Sequence, residues 1–544
     1  MNGSGLSWST LIHLLGTLIT APAQIQISRP TSDQPLSTAS LVLLQSWLSE
    51  CCASHIMCGT SLSLDRMRGR SPTRLVDVLF EEAGRVKLVE TQGQRLNYAA
   101  MSYCWGAHHA GKKTTPGTIA EMKRGIQPGE LTRTIQDAIT VVRALQIRYL
   151  WVDALCIIQG DDADWQREAS MMGMIYANAD FTIAATRAMA SSEGFLQSRA
   201  EHTAAFTLPG SATTIVFRES LDTAEDYLEQ VYDSPLLARA WVMQERALSR
   251  RTVDFTTKKM FLACRQGILT EDGVRTTHHE TASSNFTKIL DLLCMPSLTD
   301  AVRDIWTNQF FSVWAELIQW YMTREITHTK DRLPAVAGMA NLASTVLPGR
   351  YLHGLWEINL ADGLFWQPLH RPMVQDPNGE APSWSWASAA SEVILSGHNP
   401  NESLITFIAL NDCQRMLTIK GRIQKCLVSL LANAPESPCR SERKLRDPPI
   451  AKDFYTFHLR SAVGPRVVGS TLNNVCLFDR IRGDRTDFYY VDLSVSHQGT
   501  TTWRGLLLQK PANGEDSSSY SRIGVCWSDD RSGHRVRPTA FSIL

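Results

Sequence analysis

Between Tyr98 and Ser198 the hydrophobic period of the chain switches back and forth, and this alternation constrains the fold more than any other feature. Ala100 to Tyr103 reads as a strand, and Cys104-Trp105-Gly106 turns out of it. Leu131, Ile135, Ala138, Ile139, Val142 and Leu145 then fall on one helical face. Thr134 and Asp137 stand three residues apart, as in a capping box, which predicts a helix start at Thr134. Tyr149 to Ile158 is an almost unbroken apolar run, the pattern of a strand buried on both faces of a parallel sheet. Asp153 interrupts it, and a buried charge there calls for a partner, Arg148 or a backbone donor. An acidic loop follows at Asp161, Asp162 and Asp164. Trp165, Ala169, Met172 and Tyr176 recur at helical spacing and predict a second helix over Trp165 to Tyr176. Phe181 to Thr186 reads as the next strand. Strand, helix, strand, helix, strand implies right-handed crossovers and an open, mostly parallel α/β sheet.

The same stretch carries rare segments in a fixed order. Y-A-A-M-S-Y-C-W-G (Tyr98 to Gly106) is followed by T-I-Q-D-A-I (Thr134 to Ile139) and R-Y-L-W-V-D-A-L-C-I-I-Q (Arg148 to Gln159). W-Q-R-E-A-S-M-M-G-M-I-Y-A-N-A (Trp165 to Ala179) and F-T-I-A-A (Phe181 to Ala185) come next. The series resembles the fungal heterokaryon-incompatibility (HET) domain. Flanking segments extend the resemblance over most of residues 40 to 390. They are Pro72-Thr73-Arg74-Leu75-Val76-Asp77-Val78, Arg239-Ala240-Trp241-Val242-Met243-Gln244-Glu245, Asp331-Arg332-Leu333-Pro334-Ala335, Gly354-Leu355-Trp356 and Ala381-Pro382-Ser383-Trp384-Ser385-Trp386-Ala387-Ser388. Three positions depart from the family pattern. Leu131-Thr132 replaces Leu-Pro, Met101 replaces a Leu, and Phe261-Leu262-Ala263-Cys264 replaces a Trp-x-Cys. The first two involve no charged group, and the third is minor.

At 544 residues the chain exceeds one compact core, and a composition 44% hydrophobic and 20% charged lets most of it fold. We divide it into a loosely ordered leader (1–40), a helix, cysteine cluster and strand entry (41–97), and the α/β core with its R-A-W-x-x-Q-E extension (98–250). A helical region (251–390) and a β-rich C-terminal domain (391–544) complete it. The last is read from alternating strands at Met416–Ile423, Phe488–Val495, Gly505–Gln509 and Arg522–Trp527. No repeat of fixed period occurs.

Fifty-four basic and 54 acidic residues cancel, which argues against a whole-protein footprint for nucleic acid. The apolar run Leu11–Ile19 is too short to span a bilayer. Ala21-Pro22-Ala23 looks like a cleavage site, yet no Lys or Arg precedes the run, so a cytoplasmic protein is expected rather than a secreted one. Twelve cysteines scattered through so long a chain read as reduced thiols. Cys51, Cys52, His55 and Cys58 are close enough in sequence to supply metal ligands. No second ligand pair stands nearby to close a tetrahedral site, so ordinary thiols and no metal are expected.

No G-x-S-x-G, Walker loop, G-x-G-x-x-G or H-E-x-x-H occurs. Cys104 and Cys156 have no sequence-adjacent His to activate them, and His108-His109 sits in a Gly and Lys rich surface loop. The HET domain remotely resembles the TIR domain, which implies a flavodoxin-like fold and, in some members, cleavage of NAD by one helical Glu in a Trp-x-x-Glu context. Trp165-Gln166-Arg167-Glu168 offers that context, so the resemblance points to Glu168 as the carboxylate. Ser102, Tyr103, Trp105, Gly106, Asp153 and Trp165 would line the ligand site at the carboxyl ends of the strands. Residue by residue a structural reading competes. Glu168 in a first helical turn suits the helix dipole, Trp165 starts an apolar face, and Asp137 suits a cap. The resemblance implies a non-self-recognition or cell-death protein acting through self-association or a protein partner. An NAD glycohydrolase and a non-lethal accessory protein that has kept the fold are the alternatives.

Overall fold

The computed structural model describes residues 31–59, 63, 71–80, 84–107, 111–199, 203–207, 214–218, 223–276, 282–369, 381–389, 391–397, 402–411, 415–430, 455–459, 474–478, 488–496, 502–510, 519–528 and 538–543. The apolar run Leu11–Ile19, the Ala21-Pro22-Ala23 segment and His108-His109 lie outside them.

The first half is built on a nine-stranded mixed sheet. Its strands are β1 (Arg74–Asp77), β2 (Lys87–Glu90), β3 (Tyr98–Ser102), β4 (Tyr149–Trp151), β5 (Phe181–Ala184), β8 (Arg251–Phe255), β9 (Met260–Cys264), β10 (Gly267–Thr270) and β11 (Arg275–Thr276). A separate hairpin holds β6 (Thr203–Thr207) and β7 (Thr214–Arg218). The sheet order is β11-β10-β9-β8-β5-β3-β4-β1-β2. The centre is parallel, with β3 between β4 and β5, and β5 beside β8. Antiparallel hairpins extend it on both sides. The expected parallel α/β centre is therefore present, with antiparallel flanks. The sheet also runs past residue 250, so the strands to Thr276 belong to it, and the helical region starts at Ala282.

Helices Arg133–Ala144 and Asp162–Asn178 supply crossovers between the parallel strands. Tyr98, Ala99, Ala100 and Met101 are all buried, as are Leu150, Trp151, Phe181 and Ile183. That is the two-sided burial a central parallel strand requires.

Three local expectations change. The run Tyr149–Ile158 is not one strand: β4 ends at Trp151, and Asp153–Cys156 is a helical turn. Within that turn the Asp153 carboxylate accepts from the Ala154 N–H at 2.7 Å, and Arg148 pairs with Asp77 at 2.9 Å instead. The helix expected from Thr134 starts at Arg133 after Thr132, with no side-chain cap. Asp137 caps nothing there. Its carboxylate accepts the N–H groups of Phe195 (2.7 Å) and Leu196 (3.0 Å), fixing the chain after β5. The acidic loop is the helix start itself, since the Asp161 side chain accepts from the Asp164 N–H at 3.0 Å.

In the second half, helices Ala282–Leu293, Asp300–Met322 and Pro334–Ser344 pack against a ten-stranded sheet. Phe310, Trp314 and Leu317 share one continuous core with Trp384, Trp386, Leu417, Val491, Leu506 and Phe541. The expected helical and β-rich regions thus fold around a common interior. Three of the recurrent segments meet in it. The Trp386 indole donates to the Gly354 carbonyl at 2.9 Å, and Arg332 donates to the Ala387 carbonyl at 2.9 Å. Gly354 has φ +98°, and a Cβ there would lie 2.4 Å from the Trp386 ring nitrogen, so only glycine fits.

The halves meet where helix Asp162–Asn178 crosses helix Pro334–Ser344. A Cβ on Gly338 would lie 2.7 Å from the Gly173 Cα and 2.6 Å from the Gln244 Oε1, which accepts the Gly338 N–H. We expect Gly338→Ala to cost about 1–3 kcal/mol through forced separation of the two helices. Gly129→Ala, where nothing lies within 4 Å of the added carbon, should leave the thermal midpoint unchanged. Equal midpoints for the two variants would refute this close-packing account.

Candidate functional site: a buried polar cluster at the end of β3

The carboxyl end of β3 gathers side chains that the sequence keeps far apart. Ser102 closes the strand, and Tyr103, Cys104, Trp105 and Gly106 follow. Asp153 comes from the turn after β4, Tyr176 from helix Asp162–Asn178, and Arg239 and Glu245 from the R-A-W-V-M-Q-E segment. The Trp105 indole donates to Asp153 Oδ2 at 2.7 Å, so the half-buried Asp153 is held between that ring and its own turn. Arg239 donates to the Tyr103 carbonyl, and the Tyr176 hydroxyl donates to the Met101 carbonyl at 3.0 Å.

Glu245 is the deepest carboxyl here. Burial pushes it up to about 7. The Arg239 charge and the Ser102 hydroxyl oppose that rise, and the neighbouring Asp153 charge adds to it. The Tyr103 phenol is raised well above its ordinary value, first by burial and then by Asp153. Ser102 Oγ, Tyr103 Oη and Glu245 Oε2 are all buried without a partner of good hydrogen-bonding geometry. Ser102 and Tyr176 approach Glu245, and Asp153 approaches Tyr103, so these weakly satisfied buried groups make the cluster a candidate functional site.

Gly106 shapes the exit from this cluster. It has φ +77°, and a Cβ would sit 2.6 Å from that of Ala190. Ser191 Oγ donates to the Trp105 carbonyl at 2.9 Å, fastening the same turn to the chain beyond β5. The cluster therefore unites four of the expected ligand-site residues, Ser102, Tyr103, Trp105 and Asp153, with Gly106 at its edge. Trp165 packs against the segment that supplies Arg239 and Glu245. Its ring stands edge-on to Trp241, 6.4 Å between centroids, with the Lys330 ammonium 5.8 Å away.

Glu168 lies in a different network. It is fully buried, and Arg74 of β1 reaches its Oε1 at 3.4 Å. The same guanidinium pairs with Asp164 and donates from Nε to the Cys156 carbonyl at 2.7 Å. Asp164 in turn accepts the Ile158 N–H at 2.7 Å and pairs with Arg167. Burial raises Glu168 above the ordinary carboxylate value, opposed by Thr73 and then Arg74. No described hydrogen bond or ion pair joins Glu168 to Trp105 or Asp153. Sequence reasoning missed Glu245, Arg239 and Arg74. Each stands in a segment singled out above, and the available signal was a charge embedded in an otherwise apolar run.

A cavity of about 180 Å³ lies at the amino ends of the central strands β3, β5 and β8, lined by Arg95, Asn97, Asp180 and Arg250 among others. It shares no lining residue with the β3 cluster.

The polar cluster and the sheet centre coincide with a family. Residues 98–245 match the family model described as Heterokaryon incompatibility protein (HET). The match opens at Tyr98, the first residue of β3, and closes on Glu245 of the cluster. No curated protein matches the chain, and neither does any solved structure.

Two outcomes follow. Arg74→Met removes the buried cation of Asp164 and Glu168, leaving only the half-exposed Arg167 beside them, and should cost about 3–5 kcal/mol, read as a lowered unfolding midpoint. An unchanged midpoint would show that the network contributes nothing. Glu245 gives a pH dependence of known sign. Its folded value near 7 lies above the ordinary 4.5, so the folded state holds a proton there that the unfolded state has released. Stability from this group is present below pH 4.5 and declines as pH rises to about 7. Glu245→Gln should therefore gain up to about 3 kcal/mol relative to wild type across that window. Denaturant midpoints of both proteins at several pH values test it, and a constant gap would contradict it.

Proposed function

We propose that this protein acts as a heterokaryon-incompatibility-type protein, in non-self recognition and programmed cell death, through an α/β domain that self-associates or binds a protein partner. The observation that carries this reading is the coincidence of the family match with a structural unit. Residues 98–245 contain the central parallel strands β3, β4 and β5, the helices that cross between them, and the residues of the buried polar cluster. Among the described residues no helix is long and apolar enough to cross a membrane, which suits action through protein contacts.

A second reading is NAD glycohydrolysis. It is favoured by the under-partnered polar atoms of Ser102, Tyr103 and Glu245 beneath Trp105 and Asp153. Breaking the bond between nicotinamide and ribose builds positive charge on the sugar, which a carboxylate stabilises. Glu168 is the carboxylate that the TIR resemblance implies, and using it would require the Arg74 pair to open. Glu245 stands at the end of β3 and is the other carboxylate to test.

The experiment expresses the full chain in a fungal host and scores viability, then assays the purified protein for NAD consumption at concentrations that permit assembly. Wild type, Glu168→Gln and Glu245→Gln are compared, each shown to be folded. Death without NAD loss supports contact-driven action. NAD loss abolished by one substitution identifies an enzyme and its carboxylate. Full viability with no NAD loss overturns both readings.

A further inference from the structure

We propose that Cys51, His55, Cys58 and Cys264 form a structural zinc site that staples the N-terminal helix to the sheet. The expectation of isolated thiols rested on the lack of a nearby ligand to close a tetrahedron. The fold supplies it from the end of β9, more than two hundred residues downstream.

The geometry is that of a single-metal site. One ligand atom from each of the four residues lies within 4.8 Å of every other. Zinc held by thiolates at about 2.3 Å in a tetrahedron sets sulfurs about 3.8 Å apart, so a small inward movement completes the shell. His55 Nδ1 and Cys264 Sγ are already 3.4 Å apart. Three thiolates and one imidazole in tetrahedral array select zinc among common divalent ions. Cys52 is exposed and takes no part.

Local structure preorganises the ligands. Cys51 lies in the last turn of the helix Thr38–Ser54, and His55 is its C-cap. The Cys58 and Gly59 N–H groups donate back to the His55 carbonyl at 2.9 and 3.0 Å, a tight turn that sets His55 and Cys58 on the same side. Cys264 occupies the start of the β9–β10 turn, Cys264-Arg265-Gln266-Gly267.

Charge balance agrees. Three thiolates, a neutral imidazole and one zinc ion sum to a single negative charge. Arg251 answers it, with its Nε 3.0 Å from Cys51 Sγ. All three thiols are buried, where unpaired thiolates would be unfavourable. Binding displaces one proton per thiol to solvent and changes no oxidation state.

The site has a clear structural task. Cys51 and Cys58 precede the family match, and Cys264 follows it. The metal joins the two flanks across the sheet edge, beside the Glu50–Arg275 pair (2.7 Å) and the hydrogen bond from Ser40 to Glu271 (2.8 Å).

The test uses the full chain purified without chelator, with zinc measured by elemental mass spectrometry and by release on thiol modification. Wild type and Cys52→Ser should each carry roughly one zinc per chain, and Cys264→Ser should retain at least about tenfold less after dialysis against a chelator. Cobalt exchanged into folded wild type should give intense tetrahedral d–d bands with a thiolate charge-transfer band, a readout independent of how any variant folds. Folded wild type without zinc and without those cobalt bands overturns the proposal. So does a Cys264→Ser protein whose metal content and cobalt spectrum equal those of wild type.

Discussion

The buried guanidinium of Arg74 decides where the principal helix of the first half lies. It draws in Asp164 and Glu168 from one turn of helix Asp162–Asn178 and also binds the Cys156 carbonyl, so β1, the turn after β4 and the helix meet at one cation. A lone charge at that depth would cost far more than folding yields, and only the two carboxylates with the carbonyl make it tolerable. Once that end is fixed, the rest of the helix follows. Ile175 accepts the Tyr98 hydroxyl, Tyr176 reaches Met101 and the Glu245 neighbourhood, and Gly173 presents bare backbone to Gly338. One helix therefore carries a structural ion cluster at its start, a wall of the polar cluster near its end, and the seam to the second half between them.

This arrangement gives Glu168 and Glu245 different chemistry although both are buried glutamates. Glu168 has a cation 3.4 Å away, whose pull resists the rise that burial imposes. Glu245 has Arg239 as its attracting charge but also Asp153 pushing against it, and it rises to about 7. A carboxyl near 7 can hold or release a proton at cellular pH, whereas one clamped by a guanidinium serves position. The contrast comes from what each helix packs against.

The strand and helix order of residues 98 to 185 was legible because burial on both faces and on one face leave different periods in the sequence. The polar exceptions were harder to read. Asp153 looked like a flaw in a strand because its run is apolar to Ile158. Instead the run turns there, with the Leu155, Cys156 and Ile157 N–H groups donating back to Val152 and Asp153 and the Ala154 N–H to the Asp153 carboxylate. Asp137 matched a capping pattern, yet its carboxylate is spent on a loop nearly sixty residues away. Ser102, Tyr103, Trp105 and Asp153 were readable as a group because strand ends in such sheets converge. Glu245 was not, because its place depends on how the segment after β5 folds back. Local pattern reports which face of an element is buried, and it does not report which distant element supplies the partner.

The same limit explains the cysteines. Cys51, His55 and Cys58 form an open three-ligand arc in sequence, and only the antiparallel return of β8 into β9 brings Cys264 to it. That return belongs to the part of the sheet beyond the matched domain. The hairpins on the sheet's flanks thus do more than cover its edges. β1 supplies Arg74 to the central helix, and the β9–β10 turn supplies the thiol that closes the N-terminal cluster. Segments on either side of the family match therefore help hold the core that the match defines.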